Sequence, residues 1–256
     1  MSGLASALVS NIVPIASRNE MSLGMDSDSM VAKFKEMVLK QQEFASGDRP
    51  CYVDIGYHWT DTSKMDSIRV RGVLTRAELE SRRLAAAINH KNCVKYGDGI
   101  YIAENPTSQF SMATMTCLMV ARVKGRQGVS KLRTLARSEL DDVIKKFDTI
   151  VGVSSWEKVL KSSEQCVPLV CFDSAALKED EQKIFKVQLE LQSVLDLLLN
   201  GGDEIPVDNW TRVAKAPLPP PPFRGYPSGF GVFAKPGKLN PFRKKRKEKK
   251  GPKALE

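Results

Sequence analysis

The sequence predicts an α+β body followed by a basic, proline-rich tail. Three observations carry this. Two stretches, Asp26 to Phe44 and Glu181 to Asn200, place apolar side chains at the helical period. Between them, short apolar runs recur, bounded by glycine, proline and polar residues, which is the pattern of short strands. After about Trp210 the composition changes, and nine of the 14 prolines fall in residues 217–256.

Taken in order, residues 1–25 are small and mildly apolar, with no acid before Glu20, and read as a flexible N-terminus. An organelle presequence is the alternative. The first helix runs from Asp26 to Phe44 through Met30, Val31, Phe34, Met37, Val38 and Gln41, with Asp28 or Ser29 as its cap and Gly47 as its stop. Cys51 to Tyr57 is a strand. Thr62 to Val70 is a short helix with Met65 and Ile68 on one side, and Gly72 ends it. Arg76 to Asn89 is a charged surface helix, and His90 beyond it a surface residue.

Ile100 to Ala103 is the next strand, and Asn105-Pro106-Thr107 opens a helix, with proline in the first turn. Leu118 to Val123 is a strand. Ser138 to Phe147 is a helix with a Ser138/Asp141 capping pattern. Ile150 to Val153 and Leu169 to Phe172 are strands. The last helix runs through Ile184, Val187, Leu191, Val194, Leu195 and Leu198 to the stop at Gly201-Gly202. The body is thus 26–212 and the tail 213–256.

Charge separates the two parts. Residues 217–256 hold 11 Lys/Arg and 2 Asp/Glu, the whole of the net charge of +9, so the body is balanced and its charge does not mark it as a nucleic-acid binder. The tail lacks the apolar content for a core and is expected to be disordered. Pro219–Pro222 is a stiff linker or a polyproline II ligand for an aromatic groove. The cluster Arg243-Lys244-Lys245-Arg246-Lys247 reads as a nuclear-localisation signal, as a contact for nucleic acid or an anionic surface, or as a solvated tail.

Five scattered cysteines with no Cys-X-X-Cys fit reduced, intracellular thiols, with Cys117, Cys166 and Cys171 as core residues. With two histidines in the chain no zinc ligand set is expected. No apolar run approaches the ~20 residues of a membrane span.

Two strings stand out as a candidate ligand cleft: Tyr57-His58-Trp59-Thr60, holding one of the two histidines, and Gly97-Asp98-Gly99-Ile100-Tyr101. Each puts an imidazole or a ring where a strand meets a loop. Trp59, Trp156 and Trp210 read as packing residues.

The order of segments resembles the catalytic domain of the PARP-like ADP-ribosyltransferases. Tyr57-His58-Trp59-Thr60, with Ile68 and Gly72-Val73-Leu74, is similar to the family's His-Gly-Ser/Thr, Ile, Gly-Leu pattern. Gly97 to Asn105 resembles its Gly-X-Gly-Ile-Tyr-Phe-Ala segment. Phe147 to Gly152 resembles the later Asp-Ser-Val-Val-Gly strand, and Leu169 to Asp173 the Tyr-Val-Val-Tyr strand. The resemblance covers Tyr52 to Leu177.

It implies an ADP-ribosyltransferase-like split mixed β-sheet clasping NAD, with NAD as substrate and no metal. His58 would bond a ribose hydroxyl on the adenosine side, the Trp59 backbone would pair with the nicotinamide carboxamide, and Tyr101 would stack on the nicotinamide. Thr60 and Gly99 would line the same site. Ser108, or Ser111 if the register slips, would donate to the carboxamide oxygen, and Phe110 would form a second aromatic wall. Holding and orienting nicotinamide while an oxocarbenium-like centre forms is a positioning task that suits these residue types.

Two departures matter. Trp59 replaces the family's glycine after the histidine, so its side chain must turn away or block the pocket. Pro168 occupies the place of the glutamate that polymer-forming members use, and proline neither takes a proton nor donates from its backbone. Glu164 reaches in only if its loop folds back. The expected function is therefore NAD-dependent mono-ADP-ribosyl transfer to a protein or nucleic-acid acceptor. The alternative is a catalytically inactive PARP-like binding module with a basic tethering tail.

Overall fold

Alternation along one nine-residue strand organises the molecule. From Val53 to Asp61, the side chains of Val53, Ile55, Tyr57 and Trp59 are buried on one face, while Asp54, His58 and Thr60 keep part of their surface on the other. The computed structural model describes residues 2–40, 53–84, 96–106, 115–129, 146–152 and 157–199. In chain order its strands are β1 (Met21–Leu23), β2 (Val53–Asp61), β3 (Ile100–Ala103), β4 (Met115–Val123), β5 (Gln127–Val129), β6 (Thr149–Val151), β7 (Glu157–Leu160) and β8 (Cys166–Asp173). Its helices are α1 (Ser2–Ala16), α2 (Ser27–Leu39), α3 (Met65–Arg71), α4 (Arg76–Ser81), α5 (Ser174–Glu179) and α6 (Glu181–Leu199).

The strands form one sheet in the order β1-β8-β4-β2-β3-β7-β6-β5, antiparallel except for the β5–β6 pair. The β2–β4 ladder is the longest, from Val53↔Val123 to Asp61↔Met115. One sheet face packs Tyr57, Trp59, Met119 and Phe172 against α1, α2 and α6. The other packs Leu118, Val120, Ile102 and Cys171 against Met65 and Ile68 of α3 and Val73 behind it. The α6 stripe is as its periodicity predicts: Ile184, Val187, Leu191, Val194, Leu195 and Leu198 are all buried.

The N-terminus differs from expectation. Residues 1–218 cluster as one unit, and the stretch read as flexible forms α1 and the edge strand β1. Leu8, Ile12 and Ile15 recur on one side of α1 and are fully buried against the core. The helix lacks charge, so only serines and one asparagine set its stripe off in the sequence, and tertiary packing holds it.

Other boundaries shift for local reasons. Asp26 rather than Asp28 or Ser29 caps α2, accepting from Ser29 N–H at 2.9 Å. The strand expected to stop at Tyr57 runs on to Asp61, so His58 lies inside a strand and not at its end. β5 and β7 have no counterpart in the sequence reading. The helix expected over 138–147, all but its end, and the tail 213–256 lie outside the described residues, as do Gly47, Cys51, His90, Cys93, Trp156 and Trp210.

Pro168 sits inside β8, a position a central strand rarely tolerates. A bulge accommodates it. The β4–β8 register steps from Met119↔Val170 to Val120↔Pro168, leaving Leu169 as the extra residue. Leu169 and Val170 consequently pack in the same core cluster although they are consecutive.

Candidate functional site

The sheet is nearly divided between β2 and β3. Their registered pair is Tyr57↔Ala103, after which β3 commits all four residues to β7. No registered pair joins Trp59 to Tyr101 across this opening. Strand geometry turns the N–H and C=O of alternate residues to the same edge, so the peptide groups of Ile55, Tyr57 and Trp59 all face the β3 side. At Ile55 that edge is occupied by a side chain from α6. Gln192 Oε1 accepts from Ile55 N–H at 3.1 Å, and its Nε2 donates to the Val53 carbonyl at 3.0 Å.

At the other end of the opening His58 makes the connection. Its Nδ1 lies 3.0 Å from the Tyr101 carbonyl oxygen. A carbonyl only accepts, so Nδ1 carries the proton. Burial pushes the imidazole below the ordinary histidine value of 6.5, and the bond to Tyr101 offsets this only in part. The ring is thus neutral at physiological pH, and Nε2 presents a lone pair with no partner among the described residues. A neutral imidazole held in this tautomer accepts a hydrogen bond from a hydroxyl.

Tyr101 is held by its hydroxyl. The phenol donates to the Gly97 carbonyl at 2.9 Å and accepts from Tyr96 N–H at 3.0 Å. Its half-buried ring packs with Tyr96, Ile150 and Val159. By register this is the Ala103 and Tyr57 face, whereas His58, opposite Leu118, points to the other. The structure therefore joins the His58 ring to the Tyr101 main chain. It does not set the two rings side by side.

The Gly97–Gly99 turn is rigid for two reasons. Gly99 has φ +155°, and a Cβ there would sit 2.4 Å from the Leu160 carbonyl oxygen, so close packing on β7 demands glycine. Asp98 accepts from the backbone N–H groups of Arg76 and Ala77 at 3.0 and 3.1 Å, pinning the turn to the start of α4.

Trp59 turns away. Its indole is buried on the helix-covered face, edge-on to Phe172 at 6.3 Å between centroids, and Nε1 donates to the Pro106 carbonyl at 3.0 Å. The bulky indole thus leaves the His58 face clear, and its bond to Pro106 anchors the segment that follows β3. Thr60, half-buried, lies opposite Thr116 on the His58 face, and Thr116 Oγ1 is 3.0 Å from Thr62 Oγ1. Ser108, Phe110 and Ser111 lie outside the described residues.

Two carboxylate questions are answered by position. Pro168 is buried opposite Val120, one side-chain row along from the Leu118–Cys171 pair that flanks His58. Glu164 does not fold back. It sits in the 3-10 turn Ser163–Gln165, and its carboxylate meets Lys40 Nζ at 2.5 Å.

The sequence reading passes over one constellation, although an arginine inside the apolar run Leu118–Val123 is its signal. Arg122 is fully buried beside Gly56. Its Nε donates to Asp54 Oδ1 at 2.8 Å, and its Nη2 to Glu104 Oε2 at 2.7 Å. Lys158 also binds Glu104, and Lys124 binds Asp54. Partial burial works against the charge on Glu104, but Arg122 and Lys158 hold its carboxyl below the usual range. Burial likewise opposes the Arg122 charge, and the two carboxylates outweigh it, so its pKa is raised. For Lys158 burial prevails and the ammonium is lowered. Arg122 Nη1 has no hydrogen-bond partner among the described residues. Neither a scan against protein-family models nor a search of the curated proteins finds a match for this chain.

Proposed function

We propose that the body is an ADP-ribosyltransferase-like domain that moves one ADP-ribose from NAD to a protein acceptor, with a nucleic-acid acceptor as the variant of the same chemistry. The observation that carries it is the β2–β3 opening. There a neutral His58 presents Nε2 to a hydroxyl, and the Trp59 backbone, whose indole turns away, has no registered partner on β3. The same edge already takes one primary carboxamide, that of Gln192, at Ile55, four residues before Trp59. Nicotinamide offers the same group.

In this reading His58 orients the ribose on the adenosine side and the Trp59 peptide holds the carboxamide; the Tyr101 ring lies on the other sheet face, so its stacking on the nicotinamide requires the ligand to pass between β2 and β3. The C–N glycosidic bond breaks with its electron pair leaving on nicotinamide, and the acceptor's nucleophile closes on the ribose carbon. Pro168 supplies no carboxylate to activate a ribose hydroxyl, which favours single transfer over chain growth. The basic cluster 243–247 would tether the domain to an anionic surface or direct it to the nucleus.

Labelled NAD incubated with the full chain and a protein extract tests this. Label transfer that falls on His58→Ala and on Tyr101→Ala supports it, and its absence in the parent chain overturns it. Pro168 also favours a second reading, an inactive module that kept the site. Calorimetry with NAD and with a non-hydrolysable analogue separates the two. Binding of both without transfer supports the second reading, and binding with turnover the first.

A further inference from the structure

We infer that Arg122 is a positioning residue for the β2–β3 opening, setting its width from the side opposite His58. The opening is hinged at the Tyr57↔Ala103 pair. On one side of that pair the His58 imidazole reaches the Tyr101 carbonyl. On the other, the Arg122 guanidinium runs from Asp54 on β2 to Glu104, the residue after β3, and Glu104 is held in turn by Lys158 on β7. One side chain from β4 thus ties β2 to the end of β3 at two charge-assisted contacts. Gly56 makes the crossing feasible. A Cβ there would lie 2.8 Å from Arg122 Nη1 and 2.3 Å from Ile102 Cγ2.

The arrangement is costly, which argues that geometry is what it secures. A buried guanidinium with one nitrogen unpartnered among the described residues contributes less to stability than an apolar core of the same shape. In return, a planar fork fixes two carboxylates at set distances, which neither lysine nor an apolar side chain does. If Glu104 is released, β3 is free to swing about the Tyr57–Ala103 pair, and the Tyr101 carbonyl leaves His58 Nδ1.

The role in NAD binding rests on the function proposed above, so the test reads the opening itself as well as the ligand. Glu104→Gln removes one charge at a half-exposed site, Arg122→Lys keeps charge but not the fork, and Lys124→Met is the control, since Lys124 touches Asp54 without bridging the strands. Imidazole nitrogen NMR reports the His58 tautomer and its titration, and calorimetry with NAD reports affinity. In Glu104→Gln and Arg122→Lys we expect loss of the pure Nδ1–H tautomer and NAD affinity weakened about tenfold or more, with Lys124→Met like the parent. A folded Glu104→Gln or Arg122→Lys protein whose His58 spectrum matches the parent overturns the inference. A parent that binds no NAD, in a series where the His58 spectrum still responds, overturns the function and leaves Arg122's role standing. Should Arg122→Lys fail to fold, Glu104→Gln decides.

Discussion

The Gln192 carboxamide lies on the backbone of Ile55 and Val53 as a neighbouring strand would, taking one N–H and one C=O from the open edge of β2. Gln192→Ala leaves both groups to find water or go unpaired, at a cost of about 1–3 kcal/mol. Urea denaturation measures it. Gln192→Glu keeps the acceptor for Ile55 but sets a carboxylate oxygen against the Val53 carbonyl and against Asp196 Oδ1, which Gln192 Nε2 meets at 2.9 Å, so at neutral pH it should cost at least as much as the alanine variant.

His58 predicts a pH dependence with a definite sign. Its folded-state pKa is depressed, so as pH drops below 6.5 the unfolded chain takes up the proton before the folded one. The stability contributed by the neutral ring is present above that value and is lost as pH falls toward the folded pKa. Chemical denaturation between about pH 5 and about pH 8 should show this slope in the parent and a shallower one in His58→Gln. Protonation also removes the Nε2 lone pair, so NAD affinity should weaken over the same acid limb.

Tyr101 separates a ring from a hydroxyl. The phenol oxygen closes the turn through Gly97 and Tyr96, whereas the proposed nicotinamide contact needs the ring alone. Tyr101→Phe should therefore lose about 1–2 kcal/mol of stability and keep most transfer activity. Tyr101→Ala should lose both. Thermal melts beside label-transfer assays distinguish them, and equal loss of transfer in the two variants would assign the hydroxyl a direct role.

Placing a glycine at position 59 should harm the protein. Trp59→Gly empties the space beside Phe172 and removes the bond to Pro106, at about 3–5 kcal/mol by analogy with Trp→Ala in cores. Trp59→Phe should cost less, keeping most of the packing. Circular-dichroism melts of both give the comparison.

Ile12→Ala tests whether α1 belongs to the body. Its side chain is fully buried, so about 2–5 kcal/mol should be lost. A change within a few tenths of a kcal/mol would mean that α1 docks without supporting the fold.

These cases show where the sequence is readable. α6 is legible because six buried residues recur at the helical period with charges between them. β4 and β8 are legible as apolar runs, since both their faces are covered. β1 and β5 are three residues long, below what periodicity resolves, and β7 begins with Glu157-Lys158, whose charges mask the apolar Val159-Leu160 behind them. At the site, residue type singled out His58 and Tyr101. That they meet through an imidazole and a carbonyl depends on where β2 and β3 part, a long-range pairing that no local pattern encodes. Arg122 was visible as a charge in an apolar run, but its partners Asp54 and Glu104 lie 68 and 18 residues away.

The indole of Trp59 gives the molecule an optical gauge of its own. It is buried against the core, yet its one polar atom holds Pro106, from which the chain continues into residues 107–114. A ligand that displaces Pro106 would change the surroundings of a fluorophore packed edge-on to Phe172. With Trp156 and Trp210 replaced by phenylalanine, emission from this single residue would follow occupancy of the opening in real time, without a label and independently of any chemistry that follows.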